Sequence, residues 1–200
     1  MEQLQAVAQA VIQRLFVELE ASGRHVHVTK EQAIRLFGHG LTPKRPLSQP
    51  GQFLANERVT VIGPKGEFSS VAVLGPEREE AQVEISLTDA KTLGINPPIR
   101  LSGNVKDTPG AILQGSRGRV ELKQGVMIAQ RHIHMTPEDA AAMGVTDKQV
   151  VKLRVYTKRP LIFDQVQVRV SPKFQTYAHL DYDEANACGF SNGDLGRILP

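Results

Sequence analysis

Two short stretches carry the residue types best suited to chemistry. Arg24-His25-Val26-His27-Val28-Thr29 and Arg131-His132-Ile133-His134-Met135-Thr136 share one pattern, and together they hold four of the chain's six histidines. In an extended strand, residues i and i+2 point to one face, so each copy projects two imidazoles side by side. Neighbouring imidazoles suit a divalent transition metal, zinc above all. A lone HxH would be explained as well by ordinary surface or core histidines. The same flanking Arg and Thr in both copies favours the metal.

Third ligands follow from aligning the ends of the two halves. Ala81-Gln82-Val83-Glu84-Ile85-Ser86-Leu87-Thr88-Asp89-Ala90 lies on Thr176-Tyr177-Ala178-His179-Leu180-Asp181-Tyr182-Asp183-Glu184-Ala185 without a gap, so Glu84 falls on His179 and Gly94 on Gly189. The candidate ligand sets are then His25, His27 and Glu84, and His132, His134 and His179. Three protein ligands with one open position is the pattern of a catalytic zinc. Taken singly, Glu84 reads as a solvated strand carboxylate and His179 as a core histidine; their coincidence argues against both. Six residues before Glu84 stands Arg78, and six before His179 stands Lys173. A guanidinium beside a metal can grip a phosphate with paired hydrogen bonds, and Arg78 suits this better than Lys173. Its ordinary alternative is an ion pair with Glu77, Glu79 or Glu80. Asp181, Asp183 and Glu184 read as the start of a helix, Cys188 as packing and His39 as a loop residue. There is no Ser-His-Asp spacing, Walker loop or GxGxxG after a strand.

The elements that must position these residues are mostly strands. Residues 2–20 form the main exception: Leu4, Val7, Ala8, Val11, Ile12, Leu15, Phe16 and Leu19 follow helical spacing, which predicts an amphipathic helix. It would pack on its own subunit or dock a partner. Thr29-Lys30-Glu31-Gln32 fits a capping box for a short helix through Phe37. Residues 41–58 are expected to be a loop. Strands are expected at 59–62, 71–74 and 82–87, followed by a helix over 88–93. Pro97-Pro98 and the glycine-rich stretch 103–118 read as the connection between halves. The second half repeats the order: the HxH strand, a helix begun by Thr136-Pro137-Glu138-Asp139, strands at 150–156, 161–170 and 177–181, and a helix over 183–188. The fold expected is mainly β: two similar small β-barrel domains from an internal duplication, with short capping helices. The divisions are a tail over 1–20, a first half over 21–106 and a second over 107–200, with the active site between the halves.

Composition narrows the function classes. Two hundred residues with 40% hydrophobic and 22% charged content describe an ordinary globular chain. A formal charge of +3 and an aromatic content of 5% without Trp argue against nucleic acid as partner. The single cysteine excludes an internal disulfide and fits a reducing compartment. No apolar run is long enough to span a bilayer, and the start lacks the basic residues of a signal peptide, so an intracellular protein without a membrane partner is expected.

Six motifs together resemble one family. Gln130-Arg131-His132-Ile133-His134-Met135, Arg24-His25-Val26-His27, Gln49-Pro50-Gly51-Gln52, Leu74-Gly75-Pro76-Glu77-Arg78, Gln82-Val83-Glu84-Ile85-Ser86 and Asp183-Glu184-Ala185-Asn186-Ala187 are similar to motifs of the phosphate propanoyltransferases of the propanediol-utilisation type. The resemblance spans about residues 22–199. It implies two β-barrel domains, two zinc ions per chain, and transfer of an acyl group (propanoyl or acetyl) between coenzyme A and inorganic phosphate. It assigns His25, His27 and Glu84 to one zinc, His132, His134 and His179 to the other, and phosphate to Arg78. Coenzyme A would be met by Ala21, Ser22, Gly23, Lys65 and Asn186. Ala72 departs from the pattern, since the family often has a basic residue two before the Leu-Gly-Pro motif; Lys44, Arg45 or Lys65 would take over that contact. The resemblance also implies cytoplasmic bacterial microcompartments, with residues 1–20 as an encapsulation tail for a shell or core partner; a homodimer is a further expectation. Two competing classes are a dinuclear zinc hydrolase of thioesters or phosphoesters, and a metal-dependent scaffold recruited through the N-terminal helix.

Overall fold

The computed structural model describes residues 1, 11, 12 and 14–199. In chain order the elements are β1 (Val17–Ser22), β2 (His25–His27), α1 (Lys30–Phe37), β3 (Pro43–Pro46), β4 (Phe53–Ile62), β5 (Glu67–Gly75), β6 (Gln82–Glu84) and α2 (Leu87–Leu93). They continue with β7 (Ile99–Arg100), β8 (Ala111–Gln114), β9 (Arg119–Leu122), β10 (Val126–Ala129), β11 (His132–Met135) and α3 (Pro137–Ala142). The last are β12 (Val150–Tyr156), β13 (Leu161–Val170), β14 (Tyr177–Asp181), α4 (Tyr182–Cys188) and β15 (Leu195–Leu199). The fold is mainly β with few helices, and no helix among the described residues is long and apolar enough to cross a membrane.

The chain forms two compact units, Met1–Ser22 with Arg131–Pro200, and Gly23–Gln130. The break therefore falls after residue 130 and not at the expected 106/107. The physical reason is strand pairing: β8 and β9 extend the sheet beyond β4, and β10 lies beside β6, so residues 107–130 belong with the first half. The discontinuous unit is a closed barrel in the order β1-β14-β11-β13-β12-β15, with β15 joining β12 to β1. The contiguous unit is a curled sheet in the order β7-β10-β6-β2-β5-β4-β8-β9, with β3 on β4. It departs from the second barrel expected: β8 turns into β9 and β10 pairs outward with β7, so its two edges do not meet.

Each unit has its own core. Val26, Leu36, Val73, Leu93 and Leu113 are buried in the sheet unit, and Val17, Ile133, Met135, Leu153 and Leu180 in the barrel. Burying one such side chain contributes roughly 1.5–3 kcal/mol. Both β5 and β13 bulge two positions before the partner of a first histidine, at Ser70 (φ 56°) and Gln165 (φ 55°). Thr29, Ser86 and Asp181 close capping boxes on α1, α2 and α4, and Thr136 caps α3 with Pro137 following, as the residue types require.

Three further expectations are corrected. Within the helix expected over 2–20, residues 2–10 and 13 lie outside the described residues. Val11, Ile12, Arg14 and Leu15 are helical, but from Val17 the chain is strand, because Val17 and Leu19 alternate inward against exposed Glu18. The loop expected over 41–58 holds β3 and the start of β4. Pro43 and Pro46 are tolerated because β3 is an exposed edge strand. The glycine-rich connection contains β8 and the turn into β9.

Candidate metal centres

Strand register builds the first cluster. His25 and His27 share a face of β2, and antiparallel β6 places Glu84 opposite His25 and Gln82 opposite His27. Ligand atoms of His25, His27 and Glu84 all lie within 4.8 Å of one another. Nδ1 of His25 is 2.8 Å from the Gly23 carbonyl, and Nδ1 of His27 is 3.2 Å from the Leu74 carbonyl. With Nδ1 turned outward to a carbonyl, each ring faces the cluster with Nε2, which would offer its lone pair to a metal and, protonated, bonds Glu84 from His25. All three side chains are buried.

The surrounding groups set the charge. Burial opposes ionisation of Glu84, but the His25 charge and hydrogen bond outweigh it and hold the carboxyl well below the usual range. Burial likewise lowers His25, yet Glu84 wins and its pKa rises. His27 goes well below the ordinary value through burial, then the charges of His25 and Arg78. The buried Gln82 amide donates to Glu84 and to Ser102 Oγ at 2.9 Å, and its oxygen accepts the Gly103 N–H at 2.7 Å. Arg78 Nη1 donates to the same Ser102 hydroxyl at 3.3 Å. Arg78 thus meets this cluster through Ser102, a residue that sequence reasoning missed just before the glycine-rich stretch.

The second cluster repeats the register. Antiparallel β14 sets His179 opposite His132, as β6 sets Glu84 opposite His25. His132, His134 and His179 bring ligand atoms within 4.8 Å, and His134 Nδ1 lies 3.2 Å from His179 Nε2. Adjacent nitrogens around a tetrahedral zinc at ordinary Zn–N lengths are separated by roughly 3.3 Å. His25 Nε2 and Glu84 Oε1 are 3.6 Å apart, close to that separation, so both sets are donor groups that could hold a divalent cation such as zinc. The cation that strand register ties to this cluster is Arg169, paired with His134 on β13, in place of the expected Lys173. Its guanidinium lies over the Phe174 ring, which packs 4.2 Å from His134.

The arginine of each motif locks its cluster from outside. Arg24 pairs with Asp89 at 2.7 Å and covers the Phe68 ring; Arg131 pairs with Glu184 and lies over Phe163. Asp89 and Glu184 are the third residues of α2 and α4, the helices that follow the two third-ligand strands. Asp181 and Asp183 belong to the same helix start, while Cys188 is buried with its thiol pushed up by burial. His39 is exposed and bonds to the Gly40 carbonyl, outside both clusters. Of the residues expected at coenzyme A, Ala21 and Ser22 lie on β1 beside Leu180 and Asp181, and Asn186 lies on α4. Gly23 accepts from His25, and the Lys65 amide bonds to Leu93 at the end of α2.

Comparison with known proteins gives a consistent result. The family model for phosphate propanoyltransferase matches residues 18–191. A phosphate propanoyltransferase of Enterococcus faecalis is 55% identical over 184 residues, covering 91% of this chain and 87% of its own. That of Clostridioides difficile is 52% identical over 202 residues, covering 98% and 97%, and that of Salmonella typhimurium 47% over 178 residues, covering 88% and 85%.

Proposed function

The chain belongs to the phosphate propanoyltransferase family, and from that premise we propose that it interconverts acyl-CoA plus phosphate with acyl phosphate plus coenzyme A. Propanoyl and acetyl are the acyl groups intended, with two zinc ions per chain, one at each cluster. Bound zinc would polarise a thioester carbonyl and lower the pKa of a departing thiol. The chain's own residues supply orientation. Arg78 grips phosphate by its forked donors, with the Ser102 hydroxyl beside it, and buried Gln82 keeps Ser102 and Glu84 in place. An oxygen of the held phosphate attacks the acyl carbon, a C–O bond forms, the C–S bond breaks, and the thiolate leaves with the electron pair. Holding phosphate and thioester together removes much of the entropic cost of their encounter. No acyl-enzyme is invoked, consistent with Cys188 being buried and its thiol raised.

The observation that carries this reading is the convergence of Arg78, through Ser102 and Gln82, on a buried His-His-Glu set. Ala21, Ser22, Gly23, Lys65 and Asn186 are proposed to meet coenzyme A, and the common register of the two clusters supports reading the units as repeats. Thiol release from propanoyl-CoA tests the activity. Strict dependence on inorganic phosphate is expected; release without phosphate would mean a hydrolase, and no release a scaffold. Encapsulation through the N-terminal tail is proposed on the exposed Val11, Ile12 and Leu15. Its test is a chain truncated before Val17, so that β1 is kept, and failure of that chain to enter microcompartments is the result expected.

A further inference from the structure

The two clusters differ in where their carboxylate sits. In the first, Glu84 is itself one of the three donor residues, and both imidazoles direct Nδ1 to neutral backbone carbonyls. The second has three imidazoles and no acid among its donors. Parallel strand β1, however, places Glu20 level with His179, whereas the strand in the same relation to Glu84, β10, offers the buried, uncharged Met127. Glu20 Oε2 is 3.5 Å from His179 Nδ1, on the opposite side of the ring from the Nε2 that faces His134.

We propose that Glu20 is the positioning residue of the three-histidine cluster, orienting His179 and supplying the negative charge that this cluster lacks. The inference rests on reading both clusters as zinc sites. A ring nitrogen facing a carboxylate carries the proton, so Glu20 selects the tautomer in which Nε2 presents its lone pair inward. The neighbouring Glu18 accepts a hydrogen bond from Tyr177, on which Glu20 acts by charge alone. The charge balance also becomes even. A dication held by two imidazoles and Glu84 carries a net single positive charge; held by three imidazoles it carries two, and Glu20 reduces that to one. The side chain comes from a strand that precedes the first HxH motif, so the second cluster is completed from the far end of the chain.

The test is site-selective metal release. Purified holoenzyme carrying Glu20→Ala or the isosteric Glu20→Gln is titrated with a chromogenic chelator, and its cobalt-substituted form is followed by visible absorption. Expected is about a 10–100-fold loss of affinity at one of the two sites in Glu20→Ala, with the other site at its parental affinity. Glu20→Gln should fall between, and the cobalt spectrum should change for the weakened site only. Parental affinity at both sites in both variants would overturn the proposal, as would equal weakening of both. A parental protein purified without zinc would overturn the metal reading itself and this inference with it. Melting of the metal-free variants at the parental temperature separates positioning from misfolding, and Glu20→Gln serves if Glu20→Ala fails to fold.

Discussion

Replacing Arg131 with methionine should destabilise the protein in a pH-dependent way. Arg131 pairs with Glu184, whose side chain is only 16% exposed, and donates from Nε to the Asp164 carbonyl at 2.7 Å. A charged hydrogen bond contributes about 1.5–3 kcal/mol, and breaking a buried pair costs about 3–5 kcal/mol when a lone charge remains. Glu184 keeps the Asp181 N–H at 3.0 Å, so the cost falls just below that range, about 2–3 kcal/mol at pH 7.5. Burial, then Asp181, already raises the Glu184 pKa, and Arg131 opposes them. Without Arg131 the folded pKa rises further, so the folded variant binds a proton more tightly than the unfolded chain. Its stability deficit should therefore shrink as pH falls from the raised folded value toward the ordinary glutamate value of roughly 4.3. At pH 5 about 1 kcal/mol should remain, from lost packing on Phe163 and the neutral hydrogen bond. Chemical denaturation of chelator-treated Arg131→Met and parental proteins at both pH values measures the difference. Glu184→Gln in the Arg131→Met background should recover most of the loss at pH 7.5. A deficit that is constant or larger at pH 5, or a double variant as unstable as the single, would refute the reasoning.

Arg78→Ala should raise the KM for phosphate about 10–100-fold, the loss of charged hydrogen bonds, while zinc content stays parental; elemental analysis beside steady-state kinetics checks both, and joint loss of zinc would make Arg78 structural. Stripping the metal should lower thermal stability by about 4 kcal/mol per site relative to free zinc at a thousand times Kd. Scanning calorimetry with chelator, then with zinc restored, should show a reversible change. Ser70→Gly should be neutral or stabilising by up to about 1 kcal/mol, because Ser70 holds a positive φ, whereas Ser70→Val should cost about 2 kcal/mol. Equal effects in denaturant melts would contradict the bulge.

The ligand triplets were legible because strand geometry converts a two-residue period into a shared face, and a gapless alignment put Glu84 and His179 at one register. The capping box at Thr29 and the cap at Thr136 were legible for a similar local reason. Pairings between distant residues leave no comparable trace. Val17–Ser22 reads as a continuation of a helix because Leu15 and Leu19 are four apart, yet its barrel partners are β14 and β15. The spacing that suggested Lys173 is linear, while Arg169 is set level with His134 by a ladder. Ser102 stands just before the glycine-rich stretch, where nothing local marks it as a partner of Arg78 and Gln82. Closure of the barrel depends on β1 meeting β14 and β15, pairings made over more than a hundred residues.

Strand β1 has a consequence for biosynthesis. It is the first strand among the described residues to leave the ribosome, but it pairs with β14 and with β15, the last. The unit Gly23–Gln130 is contiguous and can fold while synthesis continues. Throughout that time Val17–Ser22 has no strand to lie against, with Val17 and Leu19 destined for a core that does not yet exist. The nascent chain therefore carries an unpaired strand edge until β14 and β15 are made, the stage at which a holding chaperone would have most to protect.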